Sequence, residues 1–201
     1  MKILLVHLES DQRLGAEWHR LFDESPDVQV LAGDICHVDA DAVVSPANSF
    51  GFMDGGLDYA LSMRFGWGVQ SRLKQAIQSR PLGELLVGEA LIIPTGDGRV
   101  PWLISAPTMR VPMDIRGTVN AYLAMKAILS AVRDHEDLPS IESVAIPGLG
   151  TGCGRLSPIV AARQMWMAYR EVFLGHPFVP ANLGGAITMH SALMDAERSE
   201  A

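Results

Sequence analysis

Between Val43 and Leu61 the sequence reads VVSPANSFGFMDGGLDYAL, which predicts a strand, a glycine-rich loop and the beginning of a helix. The apolar run ends at Val44, and apolar residues return at helical spacing from Leu57 onward. The loop carries an asparagine, Asn48, and the helix would carry an aspartate in its first turn. A glycine loop followed by a helix N-terminus can bind phosphate groups through backbone N–H groups. The segment therefore favours a nucleotide diphosphate as ligand.

The rest of the chain repeats this alternation of strands and helices. Strand-like apolar runs are predicted at residues 2–7, 28–35, 40–45, 89–94, 101–107 and 141–147, with 185–193 as a further strand. Helical spacing follows the N-cap candidate Asp11, recurs at residues 57–65, 69–77 and 122–132, and returns after Ser157-Pro158. Such alternation predicts one α/β domain over residues 1–201, with helices on both faces of the sheet.

Composition excludes several classes of protein. Hydrophobic residues make up 48% of the 201 and charged residues 19%, which is typical of a globular protein. No apolar run of about 18 residues occurs, and the N-terminal run is too short for a signal peptide, so we expect no membrane contact and a cytoplasmic location. Cys36 and Cys153 stand far apart and the six histidines lack metal-ligand spacing. We therefore expect no disulfide, metal or other cofactor.

The net charge of −7 directs attention to the glycine loops. With 16 basic against 23 acidic residues, extended contact with nucleic acid is not expected. A small anion is compatible with this charge if backbone N–H groups and a helix dipole supply the positive potential.

A second glycine loop, PGLGTGCGRLSP at residues 147–158, lies between a predicted strand and a predicted helix. Its glycines fall at every second position, 148, 150, 152 and 154. The spacing does not fit G-x-G-x-x-G, because Cys153 and Arg155 stand at the third-glycine positions, and no Gly-Lys-Ser/Thr follows. The loop is either a phosphate cradle or only a tight connector.

Three polar side chains near these loops each allow two interpretations. Asp34 is a turn former or an acceptor for an adenine amino group. Asn48 caps its own loop or contacts a ribose. Asp58 complements the helix dipole or binds a ribose hydroxyl or a water.

Taken together, six short motifs resemble the macro domain family, in a divergent bacterial or phage-associated branch. The motifs are GDI (33–35), DAVV (41–44), AN (47–48), GGLD (55–58), GEA (88–90) and GTG (150–152). They occur in the order of that family and cover roughly residues 30–168.

The resemblance implies a three-layer α/β/α fold with a central mixed sheet and a cleft for ADP-ribose. Asp34 would bind the adenine amino group, with the Ile35 backbone beside the ring, and Asn48 would contact the distal ribose. Asp58 falls ten residues after Asn48, where hydrolytic members carry an aspartate tied to catalysis. Backbone groups around the diphosphate would come from Gly55, Gly56, Leu57, Gly150, Thr151, Gly152, Cys153 and Gly154.

The sequence also departs from the family pattern around the distal ribose. Ser45-Pro46 replaces the usual Asn-Ala, Met53-Asp54 stands where glycines are frequent, and Gly154-Arg155 replaces an expected aromatic residue. Ser105 stands in place of a common histidine, and the segment 106–112, APTMRVP, is unusual.

Two functions follow from the resemblance. The first is an enzyme that removes ADP-ribose from acidic side chains, deacetylates O-acetyl-ADP-ribose or cleaves ADP-ribose 1″-phosphate, with Asp58 activating water and Asn48 holding the ribose. The alternative is a non-catalytic module that binds ADP-ribose or an ADP-ribosylated molecule, or serves as an interaction surface.

Overall fold

Six strands form one mixed sheet in the order β2-β1-β6-β3-β5-β4. The computed structural model describes residues 1–134 and 141–195. The strands are β1 (Lys2–His7), β2 (Val28–Ala32), β3 (Ala42–Ser45), β4 (Leu91–Pro94), β5 (Trp102–Ser105) and β6 (Ser143–Pro147). All neighbouring pairs are parallel except β4 and β5, which pair antiparallel.

Helices cover both faces of this sheet. They are α1 (Gln12–Phe22), α2 (Gly56–Phe65), α3 (Gly68–Gln78), α4 (Asn120–Arg133), α5 (Pro158–Val172) and α6 (Leu183–Met194), with a short 3₁₀ helix at Ile35–His37. One buried cluster joins the sheet to α1, α4 and α5, and a second joins it to α2, α3 and the 3₁₀ helix. The predicted three-layer α/β/α fold with a mixed sheet is therefore confirmed.

Strand β3 illustrates why the central strands read as continuous apolar runs. Successive side chains of a strand point to opposite faces, and here both faces are covered. Val43 packs in the cluster that contains Leu61 and Leu73, whereas Val44 packs in the cluster that contains Met125. Both valines are almost fully buried.

Two predicted helix starts are confirmed by their caps. The Asp11 carboxylate accepts a hydrogen bond from the Leu14 N–H, and the Ser157 hydroxyl accepts one from the Val160 N–H. Gly66, with φ of 77°, ends α2 and separates it from α3, which agrees with the break between the helical segments predicted at residues 57–65 and 69–77.

The prediction of a strand at residues 185–193 was wrong, because this segment forms most of α6. The Asn182 side chain accepts a hydrogen bond from the Gly185 N–H and so caps the helix at its start. At the other end, Gln164 of α5 donates its side-chain amide to the Leu193 carbonyl. A short apolar run has no periodicity that separates helix from strand, which explains the wrong prediction. The segment packs against α5.

The topology brings the loops that matter to one edge of the sheet. Strands β1, β2, β3 and β6 are parallel neighbours, so their carboxyl ends meet at the same edge. The 3₁₀ helix follows β2, the segment of Asn48 follows β3, and the second glycine loop follows β6. Across residues 1–134 and 141–195, we find no helix that combines the length and the apolar character of a membrane span.

Candidate ligand-binding cleft

A cleft of about 770 Å³ lies at this edge of the sheet. Its volume falls within the range of pockets that bind small molecules. The sequence-predicted ligand-binding residues that line it are Asp34, Ile35, Asn48, Gly55, Gly56, Leu57, Gly150, Thr151, Gly152, Cys153 and Gly154, and Asp58 lines it as well. The fold thus brings three loops, distant in sequence, around one cavity.

The second glycine loop contains both structural and accessible glycines. A Cβ atom on Gly154 would lie 2.6 Å from the Gly150 carbonyl oxygen and 2.7 Å from a side-chain carbon of Ile115. Gly150 itself has a φ of 76°, which favours glycine. A Cβ on Gly152, in contrast, would meet no atom within 4 Å. Gly150 and Gly154 therefore serve the tight turn, whereas Gly152 borders open space in the cleft.

The first glycine loop leads directly into α2. Gly55 is the N-cap of this helix and has no side chain that could satisfy the N–H groups of the first turn. A Cβ on Gly55 or Gly56 would meet no atom within 4 Å, and Gly56 has a φ of 54°. The N-terminus of α2 therefore offers N–H groups and the positive end of a helix dipole to an anion in the cleft.

The side chain of Asn48 is used within its own loop. Its Oδ1 accepts hydrogen bonds from the N–H groups of Phe50 and Phe52, at 3.1 and 3.3 Å, and its Nδ2 donates to the Phe52 carbonyl at 2.8 Å. The interpretation of Asn48 as a loop cap is thus confirmed. Its predicted contact with a ribose stays a prediction.

Two residues that no sequence motif marks, Ser62 and Gln70, fix Met53 in the middle of this loop. Met53 is fully buried. Its N–H donates to the Gln70 side chain at 2.7 Å, and its carbonyl accepts from the Ser62 hydroxyl at 2.9 Å. The loop is therefore anchored to both α2 and α3. This fixes the position of the backbone just before Asp54 and the glycines that follow it.

The unusual segment 106–112 is built onto the same loop. The Ala106 N–H donates to the Ser45 carbonyl at 3.0 Å, and the Ser49 N–H donates to the Arg110 carbonyl at 3.1 Å. The Thr108 N–H donates to the Ala47 carbonyl at 3.3 Å, and a parallel bridge pairs Asn48 with Met109. Backbone pairing thus continues beyond the ends of β3 and β5 and forms one wall of the cleft.

Asp58 lies in the first turn of α2 and faces the cleft. The Ser45 hydroxyl, at the end of β3, donates a hydrogen bond to its Oδ1 at 2.5 Å. Burial raises the pKa of Asp58 to about 6, the Ser45 hydrogen bond opposes this rise, and the charge of Asp54 adds to it. The carboxylate is therefore held in one orientation and binds a proton near neutral pH.

Asp34 and Ile35 form the opposite part of the cleft. The Asp34 Oδ1 accepts from the Cys36 N–H at 2.9 Å and so caps the 3₁₀ helix, while its Oδ2 lies 3.3 Å from the His37 Nδ1. About half of the Asp34 side-chain surface is exposed, and Ile35 is buried. The turn-forming role of Asp34 is confirmed, and its contact with an adenine stays a prediction.

The two cysteines differ in burial. Burial, together with the neighbouring Asp34, raises the pKa of the Cys36 thiol to about 11, which makes it a poor nucleophile. Cys153 is exposed in the second glycine loop. Within residues 1–134 and 141–195, no three His, Cys, Asp or Glu side chains are grouped so that they could hold a metal ion.

Comparison with other proteins agrees with this geometry. The sequence model described as Macro domain matches residues 44–165. An uncharacterized protein of Aeropyrum pernix is 38% identical over 139 residues, which cover 69% of this chain and 68% of the relative. An uncharacterized protein of Aquifex aeolicus is 34% identical over 139 residues, 69% of this chain and 78% of the relative.

Solved structures share the fold at lower identity. The macrodomain of Mycobacterium tuberculosis DarG has a TM-score of 0.58 and 22% identity, and the match covers 69% of this chain and 87% of that one. A variant of the Oceanobacillus iheyensis macrodomain with ADP-ribose has a TM-score of 0.58, 18% identity and coverage of 69% and 74%. The same macrodomain with ADP has a TM-score of 0.58, 20% identity and coverage of 72% and 75%. The family match and the fold agree, and the chain belongs to the macro domain family.

Proposed function

We propose that the cleft binds ADP-ribose, or a molecule that carries it, and hydrolyses a bond at the distal ribose. The observation that carries this proposal is the pair Ser45 and Asp58. A carboxylate that faces the cleft, is oriented by a hydroxyl at 2.5 Å and has a pKa raised to about 6 is suited to accept a proton from water near neutral pH.

Binding of the diphosphate is supported by the two glycine loops. The N-terminus of α2 and the open side of Gly152 let backbone N–H groups approach an anion without interference from a side chain. Solved structures of the same fold are described with ADP-ribose and with ADP. We assign Asp34 and Ile35 to the adenine, and Gly55 to Leu57 together with Gly150 to Gly154 to the diphosphate.

The proposed reaction is the attack of water at the distal ribose. For a glycosyl bond, the water oxygen forms a bond to C1″, and the bond from C1″ to the leaving oxygen breaks with its electron pair on that oxygen. Asp58 orients the water and takes its proton, and Ser45 keeps the carboxylate in place. For an acetyl ester of a ribose hydroxyl, the same water attacks the acyl carbon instead and gives its proton to Asp58. The bond from the acyl carbon to the ribose oxygen then breaks with its electron pair on that oxygen, which takes up the proton as acetate leaves. The diphosphate contacts would position the ribose for either step.

A second function, binding without turnover, is favoured by one specific observation. All three hydrogen bonds recorded for the Asn48 amide are made within its own loop, to Phe50 and Phe52. Holding the distal ribose through this amide would require that some of these bonds open. A protein in which they stay closed would bind the ligand but orient its ribose poorly.

Calorimetric titration with ADP-ribose, with AMP as the control ligand, tests the binding. We expect micromolar affinity for ADP-ribose and much weaker binding of AMP, because AMP lacks the second phosphate and the distal ribose. Absence of binding for both ligands would refute the function.

Hydrolysis is tested with ADP-ribosylated peptide and O-acetyl-ADP-ribose, using wild type and Asp58→Asn. If Asp58 is the base, the variant binds ADP-ribose but turns over roughly tenfold to a thousandfold more slowly. Binding by wild type without turnover of any ADP-ribose derivative would favour the non-catalytic module.

A further inference from the structure

The cleft has an unusual balance of charge for a site that receives an anion. Four carboxylates line it, those of Asp11, Asp34, Asp54 and Asp58, and none of the described residues that line it is lysine or arginine. The histidine His7 lines the cleft as well, and two further basic side chains contact lining residues without lining the cleft themselves. Lys74 rests on the Phe52 ring with its Nζ 4.2 Å from the ring centroid, and His37 is paired with Asp34.

The four carboxylates fall into two groups along the sheet edge. Asp54 and Asp58 belong to the segment after β3, whereas Asp11 and Asp34 follow β1 and β2. Strand β6 lies between β1 and β3, which separates these strands by roughly 10 Å. Asp54 is close enough to Asp58 for its charge to raise the pKa of that carboxyl group. The end of the cleft assigned to the distal ribose therefore carries two neighbouring acidic groups.

Backbone N–H groups of the glycine loops can offset the charge of the diphosphate bound there. They do not offset the charge of a further group on the distal ribose. A phosphoryl group on the distal ribose would bring about two further negative charges next to Asp54 and Asp58. An uncharged group, such as the ester of a carboxylic acid or an acetyl ester, would bring none.

We infer that the cleft selects ADP-ribose derivatives whose group on the distal ribose is uncharged or cationic, and that Asp54 is the residue that disfavours a phosphoryl group there. This inference rests on the proposed function. Of the three substrate types that the family resemblance implies, it retains the ADP-ribosyl esters and O-acetyl-ADP-ribose and disfavours ADP-ribose 1″-phosphate. Asp54 acts by charge and takes no part in the bond-breaking step.

The test compares how tightly two glycosides of ADP-ribose bind. Neither carries a phosphate or an acetyl ester on the distal ribose that hydrolysis could release. These are the 1″-O-methyl glycoside of ADP-ribose, which is uncharged at that position, and its phosphonomethyl counterpart, which is charged. Calorimetric titration near pH 7.5 should show that wild type binds the methyl glycoside more tightly, by roughly tenfold, and that Asp54→Asn removes most of this difference.

A matched control removes one negative charge from the other end of the same cleft. Asp11→Asn preserves the cap of α1, because asparagine caps helices as well as aspartate does. We expect this variant to keep the wild-type preference, since Asp11 lies on the β1 side of the cleft. Equal melting temperatures of the three proteins would show that the exposed Asp54 side chain has no structural role.

The outcomes separate the inference from the function on which it rests. If wild type binds both glycosides equally, or if Asp54→Asn keeps the preference, Asp54 does not set specificity, while ADP-ribose binding stands. If Asp11→Asn abolishes the preference as fully as Asp54→Asn does, the overall charge of the cleft and not Asp54 decides. If wild type binds neither glycoside nor ADP-ribose, the proposed function and the inference both fail.

Discussion

At the scale of single residues, the most informative position is Ser45. Comparison with the family pattern marks it as the loss of an amide, which suggests a weakened site. The structure shows instead that its hydroxyl donates to Asp58 across 13 residues of sequence. The sequence could not reveal this contact, because it depends on how α2 lies against the end of β3.

Replacing Ser45 by alanine should move the titration of Asp58 to higher pH. The hydrogen bond stabilises the charged carboxylate, so its loss favours the protonated form. In wild type we expect kcat/KM to rise with pH through about 6 and then level off. In Ser45→Ala the rise should come later, so that the loss of activity is roughly fivefold greater near pH 6 than near pH 8.

Ser105 provides the control for this prediction. It is the partner of Ser45 on β5, is fully buried, and its hydroxyl has no hydrogen-bond partner among the described residues. Ser105→Ala should leave the pH profile unchanged. NMR titration of the Asp58 carboxyl carbon gives the same information without a substrate. An unchanged midpoint in Ser45→Ala would remove the assigned role of the serine.

Asp58 should also cost stability at neutral pH. Its pKa in the folded protein is about 6, above the ordinary value of 3.8. A raised carboxyl pKa means that the folded state holds the proton more tightly, so the free energy of unfolding falls as pH rises from about 4 to about 6. Asp58→Asn, which can still accept from Ser45, should therefore match wild type below about pH 4 and be more stable by about 2–3 kcal/mol above pH 6. Denaturant unfolding at several pH values measures this, and a gap that does not depend on pH would contradict it.

At the scale of elements, two glycines of the loop at residues 148–154 should affect different properties, one the stability of the fold and the other the affinity for ligand. Gly154→Ala would force a Cβ to 2.6 Å from the Gly150 carbonyl, so we expect the free energy of unfolding to fall by roughly 1–3 kcal/mol. Gly152→Ala meets open space, so stability should change by less than about 0.5 kcal/mol. In the proposed complex its methyl group would stand where a phosphate approaches, so ADP-ribose affinity should fall roughly tenfold. Thermal unfolding measures the stability of both variants, and calorimetry measures their affinity for ADP-ribose. Unchanged affinity in Gly152→Ala would argue against the loop as a phosphate cradle.

The elements were predictable where local chemistry marks them. Asp11 and Ser157 are N-cap residues that predict helix starts. The alternation of apolar runs with segments of helical spacing predicts the sheet. The segment of α6 was predicted as a strand because it contains no charged residue and its apolar residues show only a weak helical period. Asn182 is an N-cap signal that would have favoured a helix.

At the scale of the whole molecule, the order of the motifs predicts where the cleft lies. It does not predict which contacts hold the walls of the cleft in place. Asp34, Asn48 and Asp58 line the cavity, and their contacts with a ligand stay predictions. The anchoring of Met53 by Gln70, and the pairing of segment 106–112 with the loop after β3, join residues far apart in the chain. Such contacts follow from topology and leave no local pattern.

The charge of the whole protein leads to a prediction about salt. Sites that hold a diphosphate with lysine or arginine lose affinity as salt screens the attraction. Here the protein has a net charge of −7, and the described residues that line the cleft include four aspartates and neither lysine nor arginine. Salt should screen repulsion instead, so ADP-ribose affinity should stay constant or rise up to severalfold between about 50 and about 500 mM KCl. Calorimetry measures this, with uncharged adenosine as the control, and a tenfold loss of affinity would mean that a basic side chain carries the diphosphate instead of the backbone of the glycine loops.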